Sequence, residues 1–316
     1  MTFDWAAAVD NALWFQGQAG CEEQLANAIY RRESPDPRCM GRWQTRWQTR
    51  SNNTNQGAKM TKQLLIYESA TPITPARHAG HSVEVGGSYA FSAGVNAVPL
   101  MAVEILRAAT EYAVVFTGVG DDVIPAVVLG VKGEQNLYLA PDGHWNAKYI
   151  PAFIRRYPFV FAASADNKTL TLCIDESYPG LNTEGRGQRF FTADNRPTPY
   201  VEQVLTFLKE YQAQFLRTQA FGRRLQEFGL LEPMQAKVTT PGGAQLSLTG
   251  FMAASRAKLR ELPAEKLAQL AKTDELELLY LHLYSLRNFN EVKDRLIGTL
   301  AADEPPANAA AAPAAA

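Results

Sequence analysis

The chain is poor in the materials that several large function classes require. Its 316 residues hold three cysteines, with Cys21 and Cys39 near the start and Cys173 alone in the remainder. That is too few, and too uneven a placing, for a disulfide framework. No charge of either sign dominates. With 31 basic and 32 acidic residues the formal charge is -1, so no global field gathers nucleic acid or anionic lipid, and a nucleic-acid role is disfavoured. The first 20 residues contain Asp4 and Asp10 but no Lys or Arg, so the basic segment of a secretion signal is missing. Counted from Met60, the run Thr-Lys-Gln-Leu-Leu-Ile-Tyr-Glu meets a charge too soon for a membrane span. A cytoplasmic chain is expected, and a lone Cys173 inside Thr-Leu-Cys-Ile-Asp agrees with a reducing compartment.

Catalytic signatures are scarce too. No G-x-S-x-G, P-loop or H-E-x-x-H occurs. Phe116-Thr-Gly118-Val-Gly120 follows a strand-like run, yet the third glycine of a dinucleotide fingerprint is replaced by Val123. The next segment also reads as a strand, where a helix N-terminus is needed to hold pyrophosphate. A hairpin turn accounts for both glycines.

Residues 1–59 differ in character from the rest. Trp5, Trp14, Trp43 and Trp47 make four of the five tryptophans, and Trp-Gln-Thr-Arg repeats in tandem over 43–50. Gln56-Gly-Ala-Lys-Met60 can be encoded by a purine-rich run like a bacterial ribosome-binding site before an ATG. The expectation is a natural start at Met60 after a non-native or poorly ordered leader; the competing reading is a genuine extension with a short amphipathic helix over 4–15. Residues 60–300 have the size of one domain. Residues 301–316, rich in Ala and Pro, have nothing to bury and are expected to be disordered.

Patterning predicts an α+β fold: an antiparallel meander sheet packed by long C-terminal helices. Runs 111–117 and 125–131 flank a turn-rich Gly118–Asp122 segment, 135–139 reads as a further strand, and 159–163 faces 169–174 across Asp166-Asn-Lys168. A hairpin joins 235–239 to 245–248 through Pro241-Gly-Gly243. One helix is predicted over 147–156. A longer one covers 200–228, with apolar residues at 201, 204, 205, 208, 211, 215 and 216, opened by Thr198-Pro199 and closed by Gly229. Leu262-Pro263 begins another, and Thr273 caps a last one whose first turn holds Asp274, Glu275 and Glu277. On that helix Leu279, Leu283 and Leu286 should face the sheet, and His282 reads as a satisfied, partly buried histidine.

The densest run is Trp145 to Phe161, WNAKYIPAFIRRYPFVF, with aromatics, two prolines and paired arginines in one short element. Taken with Leu65-Ile-Tyr-Glu68, His78-Ala-Gly-His81, Tyr149-Ile-Pro151, Arg156-Tyr-Pro-Phe159, Leu248-Thr-Gly-Phe251 and Leu283-Tyr-Ser-Leu286-Arg-Asn288, it resembles the SapC-like proteins of bacteria over about 62–296. Each piece is short; their order and spacing make the match specific. The resemblance implies a surface-layer connection, and with no catalytic motif it points to a non-enzymatic accessory protein that binds a protein or glycan in surface-layer or outer-surface export or uptake. The alternative is an enzyme with an unrecognised site near His78, His81, Trp145 and Asp175.

The candidate binding residues are His78, His81, Trp145, Tyr149, Arg156 and Tyr157. His78 and His81 would need a third metal ligand, for which only His144 or Glu68 offer themselves, so no metal and no cofactor is expected. Asp175 and Glu176 are adjacent on a strand end and point to opposite faces, so at most one lines any pocket. Arg186 and Arg189 sit in a Gly-rich loop able to meet a carboxylate or phosphate, though a solvated loop is the plainer reading. Trp145, beside the polar Asp142-Gly-His144 turn, is the aromatic expected to be exposed, while Phe153 and Phe159 are read as core.

Overall fold

The computed structural model describes residues 65–118, 122–163, 170–240 and 242–303. The expected leader, and the Ala/Pro tail from residue 304, lie outside them.

The centre is a five-stranded antiparallel sheet in the order β10-β11-β4-β5-β3, formed by Leu231–Thr239, Gln245–Ala254, Val114–Thr117, Ile124–Val128 and Ala97–Pro99 respectively. Every residue of β4 and β5 is buried. Because successive strand residues point to opposite faces, that part of the sheet is covered on both sides. The helix α4, Pro199–Glu227, lies against β5. Another, α7, Glu275–Ser285, lies against β4 and β11.

Local chemistry starts and seats these helices. Thr198 caps α4 by accepting from the Val201 N–H at 3.5 Å, with Pro199 in the first turn where its missing N–H costs nothing. Gly229 follows the end at φ 67°, a left-handed position that suits glycine. Gly222 is required for contact: a Cβ there would sit 1.7 Å from the Val123 carbonyl oxygen, so only a bare α-carbon lets α4 reach the entry to β5. One turn earlier Thr218 is locked by the Ala102 N–H at 2.8 Å.

Two smaller sheets stand beside the first. One has the order β1-β7-β6 (Ala70–Pro72, Leu170–Asp175, Phe159–Ala163), the other β8-β2-β9 (Leu181–Asn182, Ser82–Val83, Gln188–Arg189). The first half of α4 serves a core of Ile73, Val83, Phe159, Ile174, Phe190 and Leu208, whereas its second half joins the main core through Phe221 and Leu225. One long helix thereby ties the sheets together.

The α+β class and the hairpins β4–β5, β6–β7 and β10–β11 hold. Several local readings do not. The helix predicted over 147–156 shrinks to α3, Ala152–Arg155. Pro151 keeps Ile150 out of the helical region, and the N–H groups of Lys148 and Tyr149 donate to the Glu111 carboxylate at 3.2 and 3.0 Å. The strand predicted over 135–139 is a turn with a single bridge, Leu139 to Trp145. Thr273 ends α6, Ala264–Lys272, and Asp274 at φ 60° is the residue that opens α7. Ala301–Asp303, assigned to the tail, close the last helix, α8, Phe289–Asp303. On α7, Leu279 is fully buried and Leu283 half-buried, and Leu286, in the 3-10 turn that follows, is half-buried. His282 is fully buried, its Nε2 accepting from the Ala254 N–H at 3.0 Å.

Candidate functional site

Three loop segments meet beside the smaller sheets: 84–94 after β2, 140–146, and 175–187, which runs from the last residue of β7 through β8 to β9. The last two segments each lean on the first. Tyr89 N–H donates to the Gly143 carbonyl at 2.7 Å, and Glu84 N–H to the Gly180 carbonyl at 2.9 Å. Gly143 and Gly180 permit these approaches, since a Cβ on either would fall 2.3 Å from Ser88 Oγ or 2.2 Å from the Glu84 carbonyl oxygen.

Aromatic rings line this junction in a continuous strip. Phe91 stacks on Tyr157 with centroids 4.1 Å apart, Tyr178 meets Tyr157 edge-on at 5.4 Å, and Tyr89 joins Phe91 at 6.1 Å. All four are half-buried. Behind them Tyr67, fully buried, meets Tyr157 at 5.2 Å and donates its hydroxyl proton to the Phe159 carbonyl at 2.7 Å. Burial pushes the Tyr157 hydroxyl well above its ordinary range, and the Asp175 carboxylate adds to the rise. The ring is therefore neutral at all ordinary pH.

The turn carrying Tyr178 is fixed from below. Asp175 is fully buried and accepts from the N–H groups of Glu68, Ser69 and Ser177 and from the Ser177 hydroxyl, at 2.8, 3.0, 3.1 and 2.8 Å. Three of these bonds fall on Oδ1 and one on Oδ2, which ties the carboxylate to a structural role. Glu176, next along, receives both Arg77 Nε and Nη2, at 2.6 and 2.5 Å. His78 Nε2 lies 3.2 Å from the same Glu176 carboxylate without a well-formed hydrogen bond, while its Nδ1 accepts from the Thr74 N–H at 3.3 Å. Burial pulls the His78 pKa below its usual value; Glu176 opposes that, and His81 and Arg77 reinforce it. His81 contributes a ring 5.2 Å from His78. Among the described residues no group of three His, Cys, Asp or Glu is placed to hold a metal ion.

Trp145 is not exposed, contrary to the expectation from its polar flank. It is 9% exposed, and its Nε1–H donates to the Tyr112 hydroxyl at 2.7 Å. Tyr112 in turn donates to the Tyr149 carbonyl. A buried indole N–H needs a partner, and Tyr112 supplies one from distant sequence. Trp145 reaches the strip only through an edge contact with Tyr89 at 5.9 Å. Tyr149 is half-buried and points to the buried Glu104, donating to its Oε1 at 2.6 Å. Arg156 sits over the rings of Phe153, Tyr211 and Tyr67 at 4.3, 4.8 and 5.5 Å. It acts as a cation wedged between aromatics, one ring behind the strip.

Of the six predicted binding residues, then, Tyr157 lies in the strip, Arg156 and Trp145 support it, and Tyr149, His78 and His81 face other partners. Of the four residues of the enzyme alternative, His78 and His81 adjoin each other with His78 bonded to Thr74, whereas Trp145 is bonded to Tyr112 and Asp175 to Glu68, Ser69 and its own turn. Two of the best-formed concavities lie instead along α4, an open groove by Phe207, Thr206 and Glu210 and a shallow one by Arg223, Arg224 and Glu227. Sequence reading missed Tyr89, Phe91 and Tyr178. A usable signal exists for two of them, because Tyr89 and Tyr178 stand near Gly or Pro in turns (Gly86-Gly-Ser-Tyr89, Tyr178-Pro-Gly180), where an aromatic has little core to enter; Phe91, between Ala90 and Ser92, carries none.

The family model of SapC matches residues 73–292, a span that includes all three loops and every ring of the strip. The chain belongs to the SapC family. No curated protein and no solved structure matches it. The SapC match begins just after β1, in the segment that precedes α1, Pro75–His78, and ends in α8, so it takes in α4 and every strand except β1. No helix among the described residues is long and apolar enough to cross a membrane.

Proposed function

We propose that this SapC protein is a non-enzymatic accessory protein of bacteria that acts in the cytoplasm and serves surface-layer or outer-surface export or uptake by binding a protein or glycan. The contact surface in this reading is the strip of Tyr89, Phe91, Tyr157 and Tyr178. One observation carries it: four half-buried rings adjoin one another across loops from separate parts of the chain, held in place by the buried Asp175 and by Gly143 and Gly180. Rigid amphipathic rings that stay partly exposed are what recognition surfaces use, since little conformational entropy is lost on contact. Family membership supports the surface-layer connection. The engagement of Asp175, His78 and Trp145 by structural partners favours binding over catalysis at this junction.

The test is affinity capture from the native cell with the whole chain and with Tyr178→Ala. Tyr178 is the ring of choice because it lies at the end of the strip and is half-buried, on a turn that Asp175 also fixes. Loss of the captured component from a variant that unfolds at the wild-type midpoint supports the reading. Undiminished capture refutes it.

A further inference from the structure

The charges around the strip restrict what it can hold. Arg186 lies between two carboxylates, with Nη1 3.6 Å from Glu84 and Nε 2.9 Å from Glu184. Arg189 borders the same loop, its guanidinium beside Gly185. Two acids and two bases therefore balance at this end. At the other end the exposed Asp142 carboxylate lies 3.1 Å from His144 Nδ1. A ligand of high charge finds little net field here to draw it in. It finds instead planar polar groups, paired with one another and largely in water.

We propose that the strip takes an uncharged oligosaccharide. The inference rests on the reading of the strip as the contact surface. A pyranose ring presents a face of C–H bonds whose slightly positive hydrogens complement the negative face of an aromatic ring. Its hydroxyl edge needs donors and acceptors arranged around that face, and the Glu84–Arg186–Glu184 group supplies both, with charge-assisted geometry. Exposed ion pairs hold each other weakly, so these groups can redirect a lone pair or an N–H to a hydroxyl at little cost. Several rings in a row suit several sugar units in a chain. Gly86 and Gly87, on the loop beside Tyr89, have open space where side chains would stand, which leaves room for a ligand along the strip. A peptide strand is the less fitting occupant, because it requires a free backbone edge alongside the rings, and β2, the strand that leads into the 84–94 loop, is already paired on both sides.

Isothermal titration of the full chain with maltohexaose, cellohexaose and the N-acetylglucosamine hexamer tests this, with hexagalacturonate and a hexalysine peptide as charged comparisons. The expected result is binding of at least one neutral hexamer, with an affinity that stays constant when salt is raised about tenfold. Phe91→Ala should weaken it about tenfold or more. Because Phe91 stacks on Tyr157 and its loss could disturb the fold, Arg186→Gln, exposed and outside the core, gives an independent readout and should weaken binding several-fold at unchanged stability. No heat from any neutral hexamer overturns the inference, as does binding confined to hexalysine or hexagalacturonate with steep salt dependence. In either of those cases capture with Tyr178→Ala still decides separately whether the strip is a contact surface for a protein.

Discussion

Replacing Trp145 by alanine should cost the fold about 4 kcal/mol. The indole is 9% exposed and belongs to the main core, and emptying such a site typically costs about 3 to 5 kcal/mol through lost transfer energy and the cavity left behind. A smaller term comes from Tyr112, whose hydroxyl loses the Nε1–H at 2.7 Å while still donating to Tyr149. That lost bond is worth about 1 kcal/mol. Trp145→Phe separates the two contributions, since it keeps an aromatic body and removes only the donor and part of the volume. It should cost about 1 to 2 kcal/mol. Urea unfolding followed by far-ultraviolet circular dichroism measures both, provided the slope with denaturant is unchanged. A cycle with Tyr112→Phe should show coupling of about 1 kcal/mol between the two side chains. If Trp145→Ala lost less than about 1 kcal/mol, the indole would be on the surface and the account of the 140–146 turn would fail.

Gly222→Ala should destabilise by about 3 kcal/mol or more, because its Cβ would meet the Val123 carbonyl oxygen at 1.7 Å and force α4 off β5; a thermal midpoint equal to wild type would show that the contact is not fixed. Leu279→Ala should cost about 2 to 5 kcal/mol and Leu283→Ala clearly less, given full burial of the first and partial burial of the second; the reverse order in urea unfolding would mean α7 is rotated. Burial lowers the His282 pKa from 6.5 to about 4. The unfolded chain thus binds the proton more readily, and His282 costs nothing above the unfolded value but drains stability as pH falls from there towards about 4. The loss should be about 2 kcal/mol between about pH 7 and about pH 5, with His78 acting in the same direction. His282→Gln, which keeps an acceptor for the Ala254 N–H, should flatten that part of the profile, and an unaltered slope would assign it to other groups.

What the sequence discloses about this fold is what local chemistry determines. The hairpin turns of β4–β5 and β6–β7 are written in β-branched runs broken by glycine or Asp-Asn, and α4 in its apolar spacing and Thr198-Pro199 start. The order of strands is not local. β11 meets β4 at one pair, Met252 with Phe116, and β1 pairs with β7 across about a hundred residues of chain, so neither has a neighbour in sequence to announce it. The strip was hidden for the same reason. Its rings come from three separate segments, and only Tyr157 stood in a run dense enough to attract notice. Trp145 shows the opposite failure: its flanking polar turn is visible in sequence, but the hydroxyl that lets the indole be buried comes from Tyr112. Around His78 and Asp175 the residue types were visible and the partners were not. Glu176 takes the ion pairs, while Asp175, the carboxylate singled out for chemistry, holds the turn together.

Amide hydrogen exchange of the whole chain, with and without the component it captures from the native cell, tests the central claim most directly. Bound ligand should slow exchange in the loops 84–94, 140–146 and 175–187, and leave α4 and the β10–β11 hairpin as they are in the free protein. Protection centred on the α4 groove by Phe207, or on the exposed hairpin, with those three loops unaffected, would contradict it.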